Sequence, residues 1–208
     1  MSLLRFSGII IVLISVFLFG GEIRADNGKF KVRSVRIDGN ESFSDDRIKG
    51  LMVSRPPGFL SSTNFYPEVF QSDLENIIYF YDQRGYLQAR IVDTSVVRDS
   101  SEMKVDLYIA LVEGEVTHVD GISIFGNTVF TDSTLLDVVG LKPGDPYGSS
   151  KVSEGMLKIV AMYADSGYLE ASIKPDTRIN EVTRTAIIDL QIIENQQSFI
   201  ESITYKGL

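Results

Sequence analysis

The chain has 208 residues, 20 Lys and Arg against 28 Asp and Glu, a net charge of −8, one His and no Cys. An acidic balance speaks against a nucleic-acid-binding protein, which carries a basic face. The absence of Cys excludes a disulfide scaffold, a Cys-ligated metal site and thiol catalysis, and a lone His excludes a site built on two or three imidazoles. Composition therefore favours a binding or structural role over an enzyme.

The N-terminus reads as an export signal. Arg5 is the only charge before an apolar run from Gly8 to Gly21, whose heart, Ile9 to Phe19, is 11 residues long. A secretory apolar region spans roughly 7–15 residues, whereas a membrane-spanning helix needs about 20. The polar exit through Glu22, Arg24 and Asp26 marks residues 1–25 as a signal peptide cut after Ala25, although Ile23 fits the small-residue rule poorly. An uncleaved anchor is the alternative.

The remainder repeats itself. Gly39-Asn40-Glu41-Ser42-Phe43 returns as Gly126-Asn127-Thr128-Val129-Phe130, and Pro57-Gly58 returns as Pro143-Gly144. Gly85-Tyr86-Leu87-Gln88-Ala89 returns as Gly167-Tyr168-Leu169-Glu170-Ala171, and Glu113 pairs with Glu194. The spacing shortens after Gly58, which places an insertion inside Phe59 to Phe65. Several motifs in one order define two repeats, at 30–115 and 117–196. A third copy of the opening strand begins near Ile200, so residues 199–208 read as the start of a further repeat and the chain as the front of a longer protein.

Each repeat reads as β-α-α-β-β. Val35 and Ile37 alternate with charged residues as in a half-buried strand, and Ile122 and Ile124 do likewise. The Gly-Asn pair makes a turn. Ser44 and Thr131 then N-cap short helices whose apolar stripes are Ile48, Leu51, Met52 and Leu135, Val138, Val139. A second helix starts at Pro67 and buries Phe70, Leu74, Ile77, Ile78 and Tyr81; its copy buries Val152, Met156, Ile159, Val160 and Tyr163. Gly85 and Gly167 stand where a left-handed cap is needed. Two alternating strands close each unit: Leu87, Ala89, Ile91 then Val105 to Leu111, and Leu169, Ala171, Ile173 then Ile188 to Ile192. The expectation is α+β: tandem domains, each a three-stranded mixed sheet with two helices on one face.

This pattern resembles the polypeptide-transport-associated repeat, POTRA. The features are a strand ending in Gly-Asn, a second helix ending in Tyr-x-x-x-Gly-Tyr, and a last strand ending in Glu-Gly; here they are Gly39-Asn40, Tyr81 to Ala89 and Glu113-Gly114, then Gly126-Asn127, Tyr163 to Ala171 and Glu194. The second copy departs with Asn195 in place of Gly, a residue that still tolerates left-handed geometry. A signal peptide followed by such repeats is similar to outer-membrane assembly proteins of the BamA/TamA type. The resemblance implies a non-enzymatic module on the periplasmic face of a Gram-negative outer membrane, preceding a β-barrel outside this chain. Its implied partners are unfolded outer-membrane proteins or accessory assembly subunits, with no nucleic acid, small-molecule substrate, cofactor or metal. A transporter of two-partner secretion and an FtsQ-like division scaffold are the alternatives. The first is disfavoured because no Pro lies in Gly20 to Phe30, the second because the repeats are tandem and the apolar run is short.

By the same resemblance, the strand after each Gly-Tyr lies at an open sheet edge. An edge strand offers unpaired backbone groups to an extended peptide. Pro175 interrupts the second such strand. The first has no Pro, which makes Leu87, Gln88, Ala89, Arg90, Ile91, Val92, Asp93, Thr94, Ser95, Val96 and Val97 the expected client-binding edge. Other residues have two readings each. His118 is a junction residue or a proton switch. Tyr86 and Tyr168 are packing groups or partner contacts. Asp93, Asp99, Glu102 and Asp106 are solvated carboxylates or metal ligands, without the spacing of a calcium loop.

Overall fold

A computed structural model of the protein describes residues 29–56, 62–205 and 207. The expected signal peptide, the Pro57-Gly58 pair and part of the expected insertion lie outside the described residues. The first repeat is built from β1 (Lys31–Asp38), α1 (Asp45–Lys49), α2 (Pro67–Asp82), β2 (Arg90–Asp99) and β3 (Lys104–Val112). The second follows with β4 (His118–Phe125), α3 (Asp132–Val139), α4 (Ser149–Asp165), β5 (Ser172–Asn180) and β6 (Thr185–Ile193). Each sheet has three strands, in the orders β1-β3-β2 and β4-β6-β5. The central strand runs parallel to the first and antiparallel to the second, so both sheets are mixed.

Burial explains that order. On β3, Val105, Leu107, Ile109 and Leu111 are buried on one face, as Ala186, Ile188, Leu190 and Ile192 are on β6. A strand so apolar must be covered, and the centre of the sheet under the helices covers it. The first core joins these residues to Val35, Ile37, Ile48, Ile77 and Tyr81; the second joins its strands to Leu135, Val139, Ile159 and Tyr163. The two helices of each repeat thus share one sheet face, as the periodicity predicts.

Local signals hold in detail. The Ser44 hydroxyl accepts the Arg47 N–H at 3.3 Å and the Thr131 hydroxyl accepts that of Thr134 at 3.3 Å, each capping the short first helix. At the end of α2 the chain turns left-handed at Gly85 (φ 89°), and the Tyr86 N–H returns to the Tyr81 carbonyl at 3.1 Å; Gly167 (φ 88°) and Tyr168 do the same on Tyr163 at 2.9 Å. Asn195 takes the left-handed conformation (φ 56°) that Gly114 takes in the first repeat (φ 74°).

Two expectations are corrected. The stripe through Ile48, Leu51 and Met52 suggested a longer first helix, but α1 ends at Lys49; Met52 reaches the core from the turn beyond it. The strands expected from Leu87 and from Leu169 begin at Arg90 and Ser172. The Leu87 N–H bonds the Gly85 carbonyl and the Ala89 N–H bonds that of Tyr86, both at 3.0 Å. Leu87, Gln88 and Ala89 are therefore a turn whose alternating side chains mimic a strand.

A carboxylate, buried at Glu113 and half-buried at Glu194, ties each repeat together. Glu113, at the end of β3, accepts the Ser42 N–H at 3.0 Å, the Ser42 hydroxyl at 2.5 Å and the Tyr81 hydroxyl at 2.8 Å. Glu194 accepts the N–H groups of Thr128 (2.7 Å) and Val129 (3.0 Å), the Thr128 hydroxyl, and the Tyr163 hydroxyl at 2.7 Å. One side chain thus joins the Gly-Asn turn, the second helix and the last strand.

Candidate functional site

The two outer edges of the first sheet differ. The start of β1 is covered: its Val32 N–H bonds the Thr63 carbonyl at 2.9 Å, and the Phe65 N–H bonds the Phe30 carbonyl at 2.8 Å. The chain entering α2 acts as a short extra strand there. Among the described residues no strand pairs with the outer side of β2 or of β5. β2 therefore presents the backbone donors and acceptors of a ten-residue strand to solvent. A bulge between Ile91 and Asp93 leaves Val92 as the extra residue, 52% exposed, and Val97 is 60% exposed.

Beside this edge lies a groove between β2 and α2. Its floor is Leu74, Ile78, Ala89 and Ile91, with Glu75 and Tyr79 on the rim. Leu74 and Ile78 belong to the helical stripe that the sequence marks as core, and both are only half-buried. They form the groove because α2 is offset from the edge strand. Of the eleven residues expected at the edge, Arg90 to Val97 lie on β2; Ala89 lines the groove and Leu87 and Gln88 lie in the preceding turn. In the second repeat Pro175 sits in β5 opposite Leu190, so that edge lacks a donor there.

The other marked residues have local roles. Asp99, Glu102 and Asp106 gather around Arg33: Asp99 lies at 3.3 Å and Glu102 at 3.6 Å, and Asp106 makes the closest pair. Hydrogen bonds from Arg33 and then Ser34 hold the Asp106 carboxyl at about 2, against an ordinary 3.8. The group is an ion-pair network on the open sheet face, and Asp93 stands apart from it. His118 begins β4, exposed, with its N–H on the Arg184 carbonyl at 2.9 Å. Tyr86 packs edge-to-face on Phe43 (5.7 Å) and Tyr81 (5.5 Å), and Tyr168 on Tyr163 (6.0 Å). Sequence reasoning missed two things: the blocking of β1 by residues 63–65, and Asp73, buried to 1% and bonded to the N–H groups of Val53 (2.7 Å) and Ser54 (2.8 Å). A lone Asp within an apolar helical face was the available signal.

Two β-α-α-β-β units in series, each locked by a carboxylate and, among the described residues, each with a strand edge open, define a tandem α+β repeat protein. The POTRA family, described as the surface antigen variable number repeat, matches residues 30–114 and 117–195, and the chain belongs to it. It is similar to a putative outer membrane protein assembly factor of Treponema pallidum, with 24% identity over 85% of this chain and 22% of the relative. It is also similar to the outer membrane protein assembly factor BamA of Neisseria meningitidis, with 25% identity over 89% of this chain and 24% of that protein. The chain thus spans about a quarter of the length of these relatives. Among solved structures, POTRA domains 3–5 of Haemophilus influenzae BamA share the fold, with a TM-score of 0.56, 22% identity, and coverage of 86% of this chain and 73% of that one.

Proposed function

We propose that this chain is the periplasmic protein-binding part of an outer-membrane protein assembly factor, and that it holds extended segments of unfolded client proteins by strand addition to β2. The observation that carries the reading is the open ten-residue edge of β2 running beside an apolar groove, whereas the other outer strand of that sheet, β1, is covered at its start. Main-chain bonds to the edge are indifferent to client sequence, and the groove takes every second side chain. Kinship with outer membrane protein assembly factors supports the choice of client. The same surface would serve an accessory subunit that offers a strand.

Adjacent backbone N–H groups of a strand point to opposite sides. Thr94→Pro and Ser95→Pro therefore remove one ladder donor and one outward donor. The variant that keeps its fold is the informative one. It should bind an extended peptide of alternating apolar residues about fivefold more weakly, the worth of one hydrogen bond near 1 kcal/mol. Ile78→Asp should weaken the same peptide through the groove. Parent-like binding by both variants would sink the proposal.

A further inference from the structure

Arg33, Arg36, Arg178 and Arg184 each pair with a carboxylate of this chain. Arg47 and Arg84 do not: among the described residues neither forms an ion pair. Both converge instead on one ring. The Arg84 guanidinium lies 3.6 Å from the centre of Phe80 and 5.9 Å from that of Phe43, and the Arg47 guanidinium lies 5.4 Å from Phe80. Phe80 is buried and meets Phe43 edge-on at 4.9 Å. Stacking on aromatic faces holds the planar groups in place. Burial, and then the Arg47 charge, hold the Arg84 guanidinium below its ordinary value, so the like charges are close enough to oppose each other.

The second repeat shows that the fold does not need them. Thr134 stands in the place of Arg47, Met162 in that of Phe80 and Ser166 in that of Arg84, while Phe43 is matched by Phe130. Phe130 packs edge-on against Tyr163 at 4.9 Å, as Phe43 packs against Tyr81 at 5.3 Å. Arg84 Nη1 donates to the Phe80 carbonyl at 2.9 Å, and the Ser166 hydroxyl donates to the Met162 carbonyl at 3.1 Å. A hydroxyl therefore fills the structural role of the guanidinium, and the two positive charges of the first repeat are surplus to it.

We propose that Arg47 and Arg84 form a binding site for a single carboxylate, an Asp or Glu side chain of a protein partner. Guanidinium forks stacked on aromatic rings keep edge N–H groups for a planar oxyanion. The chain uses this chemistry elsewhere, since its paired arginines all take carboxylates. An anionic membrane is the poorer occupant. The chain carries a net charge of −8, and a surface of lipid phosphates would meet that whole field, whereas one carboxylate meets two guanidiniums at contact. The site is separate from the groove beside β2. That groove takes Leu74, Ile78 and Asp82 of α2, whereas Phe80 and Arg84 stand over Phe43 and Arg47. It therefore stands or falls independently of strand addition.

The probe is the pentapeptide Gly-Gly-Glu-Gly-Gly, acetylated and amidated so that its one charge is the Glu carboxylate. Titrated into the chain at low salt and followed through the arginine Nε–H resonances, it should shift Arg47 and Arg84 saturably. Arg55 and Arg90 are also exposed and without a carboxylate, and they should stay unmoved at the same concentrations. The Gln counterpart of the peptide should shift none of the four. Arg47→Thr and Arg84→Ser carry the residues of the second repeat; each should weaken binding about three- to fivefold, and the two together should abolish it. Should Arg84→Ser disturb the first repeat, the exposed Arg47→Thr is read alone. Vesicles of phosphatidylglycerol should not retain the chain. Absence of a saturable shift at Arg47 and Arg84, equal shifts at Arg55 and Arg90, parent-like affinity after replacement, or vesicle binding that both arginines carry overturns the proposal.

Discussion

Glu113 and Glu194 each gather donors from the turn and the second helix of their repeat, so their loss should be felt well beyond one bond. Removing Glu113 leaves the Tyr81 hydroxyl and the Ser42 N–H without an acceptor beside a buried core. Glu113→Ala should cost roughly 2–4 kcal/mol in urea unfolding, and Tyr81→Phe about 1; a loss under 0.5 for both would refute the locking role. Glu194 adds a pH signature. Burial opposes its ionisation, but the Thr128 hydroxyl, the Val129 and Thr128 N–H groups and the Tyr163 hydroxyl hold it at about 2, against an ordinary 4.5. A depressed carboxyl stabilises the fold above its unfolded value and loses that contribution as pH falls toward the folded one. The stability gap between the parent and Glu194→Gln should therefore be constant above about pH 5.5 and narrow between 4.5 and 2. A gap equally wide at pH 7 and pH 3 would contradict this.

At the scale of elements, the repeats solve one packing problem in two ways. Asp73 on α2 receives the chain leaving α1 through the Val53 and Ser54 N–H groups. The matching place on α4 is Gly155, where an added Cβ would lie 2.9 Å from the Cα of Val139, so α3 and α4 approach directly. Asp73→Ala should destabilise by roughly 2–3 kcal/mol through two N–H groups left without their acceptor, that of Ser54 buried, and Gly155→Ala by about 1–3 through overpacking. Thermal unfolding at pH 7 measures both, and a neutral result at either site would reject its account. These elements were legible in unequal measure. Caps at Ser44 and Thr131, glycine turns at Gly85 and Gly167 and the alternation in β3 are local, so the residues themselves announce them. The start of β2 was not, because Leu87, Gln88 and Ala89 alternate like a strand while their backbone turns. Nor were the partners of Glu113, which lie 71 residues away at Ser42, or the covering of β1 by residues 63–65, whose side chains carry no sign of it.

Across the whole molecule, the joint between the two repeats couples their stabilities. Thr117 lies between Gly85 and Tyr147, and α4 begins on Gln83. Each repeat should therefore unfold at a denaturant concentration that reflects both, as nearest-neighbour terms do in stacked repeats. Gly148→Val tests this cleanly. Gly148 has φ −144°, which Val adopts readily, so any effect comes from its contact with Gln83. The expected result is that one urea transition in the parent resolves into two, with the core of each repeat otherwise intact. A single, merely shifted transition would show that the joint carries no coupling.

The parallel pairing of β1 with β3 has a consequence in time. Lys31 pairs with Lys104 and Asp38 with Ala110, whereas β2 and β3 are joined by a short hairpin. Loop closure over a long separation is paid before its contacts are won, so the local hairpin and α2 should form early and β1 should dock last. Replacements in β1 such as Ile37→Val should then speed unfolding and leave the folding rate nearly unchanged, while Ile109→Val in β3 should slow folding. A chain delivered from its N-terminus must keep β1 waiting, unpaired and apolar, until β3 has arrived. For that interval the side of β3 that β1 will occupy is the vacant place in the sheet, open to any extended strand that reaches it first.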